Sequence, residues 1–188
     1  VADALPNPKR RIRIIFGTNE ESGFAGVTHY FTKEPLPAYG FSPDARYPII
    51  NREKCIFDFT FHKDRSGTPG GVIREIHGGD ALNKVPAKCK AVLDATRLPS
   101  DGLSRLHACA ADSVHPRVTI EQDGHQVLVV ANGDSAHGAS PQSGVNAVAH
   151  LVDFLIRVQD VVGDSLTGEL TQLQQWMGFG TRGEGFGV

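Results

Sequence analysis

No apolar run in the chain approaches the roughly 20 residues that a helix needs to cross a bilayer. No basic block suggests nucleic acid as a partner either. Cysteine is scarce: Cys55, Cys89 and Cys109 are an odd number at wide, irregular spacing. They fit neither a zinc ribbon nor a disulfide framework, so a reducing cytoplasm is the expected compartment. All three lie in apolar surroundings and read as inert core thiols. The opening "VADALPNPKRR" has a basic cluster, but no apolar stretch long enough for a signal peptide follows it. Met is missing from the first position, as expected of processing or of a piece cut from a longer chain.

What remains is ordinary globular material: 188 residues, 40% hydrophobic, 21% charged, with a net charge of -2. "RIRIIF" (11–16) reads as a β-strand, entered from a Pro-rich lead-in, and residues 20–50 are mixed, with loops at "EPLP" and "SPDARYP". From Asn51 the texture changes. "KCIFDFTFHK" (54–63) alternates with an aromatic face, and "VIREIHGG" (72–79) reads as its returning hairpin strand. "KCKAVLDA" (88–95) puts Cys89, Ala91 and Leu93 on one face. "SDGLSRLHACAAD" (100–112) reads as a short helix capped by Ser100, with Leu103, Leu106 and Ala110 apolar. Asp123-Gly124 joins two strands within 117–133. A long helix over 140–160 opens with Ser140 as N-cap and Pro141 at N1, with Val145, Val148, Ala149, Val152, Leu155 and Ile156 on one stripe. The Gly-rich end, 178–188, reads as irregular.

The order from 88 to 160 is strand, helix, strand, strand, helix: a ferredoxin-like βαββα unit lacking its last strand. The expected fold is therefore an α/β segment over 1–50 followed by an α+β, ferredoxin-like domain over 51–188.

Four stretches carry candidate chemistry. In "GTNEESG", Glu20 and Glu21 sit side by side after the apolar run. In extended backbone their side chains diverge. One carboxylate can then ligate a cation, which relieves their repulsion, while the other takes a proton from water. A solvated turn is the plain alternative. Asp44 in "FSPDARYP" is a hard oxygen donor in a loop, where an aspartate also commonly caps a turn. His137 lies between a strand and a helix, flanked by Ala136 and Gly138, and is placed to donate a hydrogen bond to a developing oxyanion. In "HGGDALNKVP" two glycines and a proline bracket Asn83; this is either a turn or a close backbone approach to a ligand. The other seven histidines have ordinary surface or helix contexts.

"RIRIIFGTNEESG", "FSPDARYPIINREK", "GGDALNKVP" and "DSAHGASPQSGVNA" occur in this order along nearly the whole chain. Together they resemble the dizinc dipeptidases of the aminoacylase–carnosinase superfamily, and most of all the bacterial, cytoplasmic PepV-type branch. The resemblance implies a zinc-dependent hydrolysis of dipeptides, in a cleft closed by a ferredoxin-like lid. It implies Glu20 as general base, Glu21 as ligand of one zinc and Asp44 as ligand of the other. It implies His137 and Asn83 as lid residues that reach the substrate and polarise the scissile carbonyl. Manganese or cobalt would suit the same carboxylates.

The departures are specific. The family has a His-x-Asp zinc-binding segment before the Glu-Glu pair and a metal-ligand histidine near the C-terminus, and neither occurs here. The family's chain is more than twice as long, and its lid has a second half that would follow residue 188. The expectation is an internal piece comprising a catalytic strip and half a lid, inactive by itself. Residues 1–50 are then expected to rearrange or to associate with a second copy, since a lone strand exposes apolar surface and open edges. Two other readings stay open: a standalone ferredoxin-like binding or dimerisation module, and a relative that binds peptides without cleaving them.

Overall fold

Alternation of small and branched apolar residues builds the centre of the molecule. In β2 (Lys88–Asp94) and β4 (Gln126–Asn132) the covered face is Cys89, Ala91 and Leu93 on the first, where Val92 is buried as well, and Val127, Val129 and Ala131 on the second. Period-two burial is the mark of a sheet with one covered face. The two strands pair antiparallel over their full length, from Lys88 against Asn132 to Asp94 against Gln126. β1 (Ile73–Gly78) flanks β2 and β3 (Val118–Asp123) flanks β4, giving an antiparallel sheet of order β1-β2-β4-β3.

The computed structural model describes residues 9–20, 23–42, 50, 60, 70–112, 117–163 and 166–187. The chain divides into two units, Val1–Glu53 and Lys54–Val188, each described by itself.

In the second unit α2 (Gly102–Ala111) and α3 (Ala147–Arg157) cover the buried sheet face, with α2 against β3 and α3 across β2 and β4. Leu106 of α2 and Leu151, Phe154 and Leu155 of α3 are fully buried there. A short helix α4 (Gln159–Val162) follows, and α5 (Thr167–Trp176) packs on α3. The fold of this unit is α+β. The strand, helix, strand, strand, helix order read over 88–160 is present as β2, α2, β3, β4 and α3. The outer flank of β2 is filled by β1, which precedes the motif in the chain. Its return partner is β2, while the strand expected over 54–63 falls, apart from Thr60, outside the described residues, as does Cys55.

Helix ends differ from the sequence reading for local reasons. Pro141–Ser143 form only a 3-10 turn, because Val145 pairs with Asp134 across a short bridge and so leaves the helical path. Asn146 caps α3 instead, its side-chain oxygen accepting from Val148 N (2.9 Å) and Ala149 N (3.4 Å). Val145 therefore lies off the stripe, while Leu151 and Phe154 join it. Asp101 rather than Ser100 precedes α2. At the β3–β4 hairpin Asp123 pairs with Gln126, so Gly124-His125 is the two-residue loop. Gly124 has φ +57 and His125 is not among the positive-φ residues, which is the II′ pattern with glycine in first place. A 3-10 turn, Glu184–Phe186, interrupts the Gly-rich end.

The first unit overturns one expectation. Arg11–Phe16 is not a strand: it has no ladder partner among the described residues, and Ile14 and Phe16 are 70% and 93% exposed. An apolar β-rich run becomes a strand only beside another strand that takes up its amides. Here polar clips hold it. Arg13 donates to the Pro35 carbonyl (2.8 Å), lies 3.8 Å from the Glu34 carboxylate and stacks over Tyr30. The one described helix of this unit, α1 (Ala25–Lys33), has no fully buried residue.

Candidate functional site

The central strand pair continues past the end of the sheet, and this extension assembles the site. Beyond Lys88 and Asn132, Gly133 N donates to Ala87 O (2.8 Å), Val85 N to Ala136 O (2.8 Å), and Gly138 N to Asn83 O (2.6 Å). Lys84 and His137 face each other across an antiparallel bridge. Asn83, in a turn, and His137, far apart in sequence, are thus neighbours across two clipped strips, and both are exposed.

Glycine makes this approach feasible. A Cβ on Gly138 would sit 3.1 Å from Asn83 O, and one on Gly133 would be driven into the Val145 carbonyl oxygen. Gly133 therefore sits where three backbone segments meet: Ala147 N donates to Pro86 O (2.9 Å), and Asp134 and Val145 exchange a reciprocal pair of bonds (3.0 and 2.8 Å). Arg117 anchors the same corner through Asp134, at 3.0 Å.

The ring of His137 is set by its own loop. The Ala139 amide donates to its Nδ1 at 3.1 Å. A neutral imidazole whose Nδ1 accepts carries its proton on Nε2. The exposed ring nitrogen is then a donor, the polarity needed to stabilise an oxygen that gains negative charge.

Glu20 belongs to the first unit and is exposed. It lies in a tight turn closed by Phe24 N to Asn19 O (2.7 Å) and Gly26 N to Thr18 O (3.2 Å), immediately before α1. Asn19 and Phe24 both have φ +59, a left-handed conformation unusual for residues other than glycine and costly for a bulky one. Nothing in the sequence reading pointed to that strain, because it arises from closing the turn. Glu21 and Asp44 lie outside the described residues. The described residues bring together no group of three or more potential metal ligands. They do not by themselves supply the donor set of a dizinc centre, which needs several protein ligands per ion.

A second feature adjoins the strips: an open cleft of about 590 Å³ at the end of β1 and β2, lined in part by Lys84 and Ser135. The sequence signalled its floor, the Gly78-Gly79 pair, but not that Lys84 and the β2 lysines Lys88 and Lys90 line the same cleft.

Among the described residues no helix is long and apolar enough to cross a membrane. No protein-family model matches the chain. Curated proteins do. The chain is 32% identical over 172 residues to YtjP of Bacillus subtilis (strain 168), which carries a provisional dipeptidase name; the match covers 85% of this chain and 37% of that protein. It is 33% identical over 149 residues to the Beta-Ala-Xaa dipeptidase of Lactobacillus delbrueckii subsp. lactis, covering 79% of this chain and 31% of that protein. A provisionally named dipeptidase of Staphylococcus saprophyticus is 33% identical over 153 residues, 79% of this chain and 32% of its own length. The chain is therefore similar, over most of its length, to about a third of several bacterial proteins that carry dipeptidase names.

Proposed function

We propose that this chain is one part of a metal-dependent dipeptidase: a strip of the catalytic domain, over 1–50, followed by half of a ferredoxin-like lid, over 51–188. The observation that carries the reading is the juxtaposition of Asn83 and His137, both potential donors, across two neighbouring exposed strips of a chain whose relatives carry dipeptidase names. In this reading the substrate is a dipeptide. The His137 Nε2–H and the Asn83 side-chain amide donate to the scissile carbonyl oxygen, whose charge grows as water attacks. Glu20 accepts the proton of that water. Glu21 and Asp44 are assigned to zinc, with manganese or cobalt as substitutes for the same oxygen donors. The described residues do not by themselves complete such a centre. The cytoplasm is the proposed compartment.

The test uses the longer protein that carries this sequence. His137→Ala is expected to lower kcat about 10²–10³-fold, the loss typical of one oxyanion donor, with a much smaller change in KM. Glu20→Gln is expected to lower kcat severely with a much smaller change in KM. An unchanged kcat in His137→Ala refutes the assignment. The 188-residue chain alone is expected to be inactive, and dipeptide turnover by it with added zinc would overturn the division of the site proposed here.

A further inference from the structure

The open sheet face carries a basic cluster that the dipeptidase reading does not use. Lys88 and Lys90 alternate with the buried Cys89, so both ammonium groups stand on the face away from the helices. Two residues apart on a strand, their Cα atoms lie about 7 Å apart. His77 pairs with Lys90 across the β1–β2 ladder and shares that face. Lys84 stands at the rim of the same cleft.

The local carboxylates do not neutralise this set. Asp80 reaches Lys84 at 3.6 Å and Glu75 reaches Lys90 at 3.9 Å, both long pairs between exposed groups. Such pairs contribute little and exchange readily for a better partner. Lys88 has no ion-pair partner among the described residues. Like charges side by side on one strand face are unfavourable unless something negative lies between them.

The backbone of the cleft floor points the same way. Gly79 has φ +84, a conformation open to glycine, and the turn leaves the Gly79 and Asp80 amides without an acceptor among the described residues. A change in the sign of φ between neighbouring residues is the geometry from which anion-binding amide concavities are made. Ammonium groups on one side and free amides on the other are two independent features that select negative charge.

We propose that this cleft binds a small organic anion bearing two or more acidic groups, carboxylate or phosphate, held by Lys88 and Lys90 and seated on the Gly79–Asp80 turn. The site stands apart from the dipeptidase reading and does not depend on it.

The ¹⁵N-labelled chain is titrated with citrate and, separately, with inorganic phosphate, at constant ionic strength and neutral pH. Saturable shifts are expected at the Gly79 and Asp80 amides and across residues 84–90. In Lys88→Gln/Lys90→Gln the affinity is expected to fall at least about tenfold, the loss of a charge-assisted contact. Saturation by citrate alone identifies a polycarboxylate ligand, and saturation by phosphate identifies a phosphate-bearing one; either supports the site. Absence of saturable shifts with both anions, or an undiminished affinity in the double variant, overturns it. Both lysines are exposed, so the variant should keep its dispersed spectrum. If it does not, Lys88→Gln alone is held to the same criterion, with a loss of several-fold expected.

Discussion

Replacing Gly133 by alanine tests how the site strips are held. The added Cβ would collide with the Val145 carbonyl oxygen and come within 2.9 Å of Ala147 N and 3.0 Å of Pro86 O. All three are backbone atoms, so no side chain can rotate away, and the junction itself must open. Overpacking of this kind costs about 1–3 kcal/mol. Opening the junction also strains the bonds from Gly133 to Ala87 and between Asp134 and Val145, each contributing about 0.5–1.5 kcal/mol. The expected loss is about 2–5 kcal/mol, a large share of the about 5–15 kcal/mol that holds an ordinary domain together. Urea unfolding followed by circular dichroism reads this as a lower midpoint at unchanged slope. Hydrogen exchange should accelerate first at the Val85, Gly138 and Ala147 amides. Gly168→Ala is the matched control. It makes the same chemical change in α5, where a Cβ meets nothing within 4 Å. Helix propensity should raise stability there by up to about 1 kcal/mol. A Gly133→Ala midpoint within about 0.5 kcal/mol of the parent, the range of a neutral surface change, would refute the close-approach argument.

Asn146→Ala should destabilise the second unit by about 0.5–2 kcal/mol through loss of the α3 cap, while Ser140→Ala should be nearly neutral; equal effects in urea unfolding would restore Ser140 as the cap. Burial pushes the Cys89 thiol up to about 11, so few molecules carry its thiolate at pH 8 and alkylation mapped by mass spectrometry should wait for unfolding. Labelling at the rate of the denatured chain would contradict its place in the core. The Thr96 hydroxyl, then the Arg74 guanidinium, hold the Asp94 carboxyl at about 2, below its ordinary value of 3.8. A lowered folded-state value favours the ionised form in the native protein, so this contribution is full above about pH 4 and fades as pH falls towards 2. The urea midpoint of Asp94→Asn should therefore vary less with pH across that window, and a parallel pH dependence would exclude the assignment.

The parts of the fold legible from sequence are those that depend on neighbours along the chain. Alternation marked β2 and named Cys89, Ala91 and Leu93 as its buried face. Helical spacing marked α3. The dipeptide Asp123-Gly124 located the β3–β4 hairpin to within one residue, and the turn settled on Gly124-His125 because strand pairing runs through Asp123. The misread ends have a common cause. Ser140-Pro141 is a sound start signal, but the bridge from Val145 to Asp134 satisfies backbone groups that a longer helix would have used. "RIRIIF" has the composition of a strand, yet composition does not provide the neighbouring strand that its amides require.

The candidate site divides along the same line. The residue types were readable from the sequence, since a histidine between small residues and an asparagine bracketed by glycine and proline are local patterns. Their meeting was not. Hydrogen bonds between positions more than fifty residues apart bring Asn83 to Gly138 and Val85 to Ala136, and they depend on a Gly133 whose indispensability shows only once Val145 lies against it. The His137 proton is set by a local contact with Ala139, and Lys84, Lys88 and Lys90 follow Gly79 closely in the chain; only their sharing of one cleft depends on the β1–β2 pairing. By itself the sequence determined periodicity, turn chemistry and the inventory of reactive groups, because these rest on local sterics. Tertiary structure alone decided which groups share a surface, because backbone hydrogen bonds between distant segments and the clearance around single glycines set those distances.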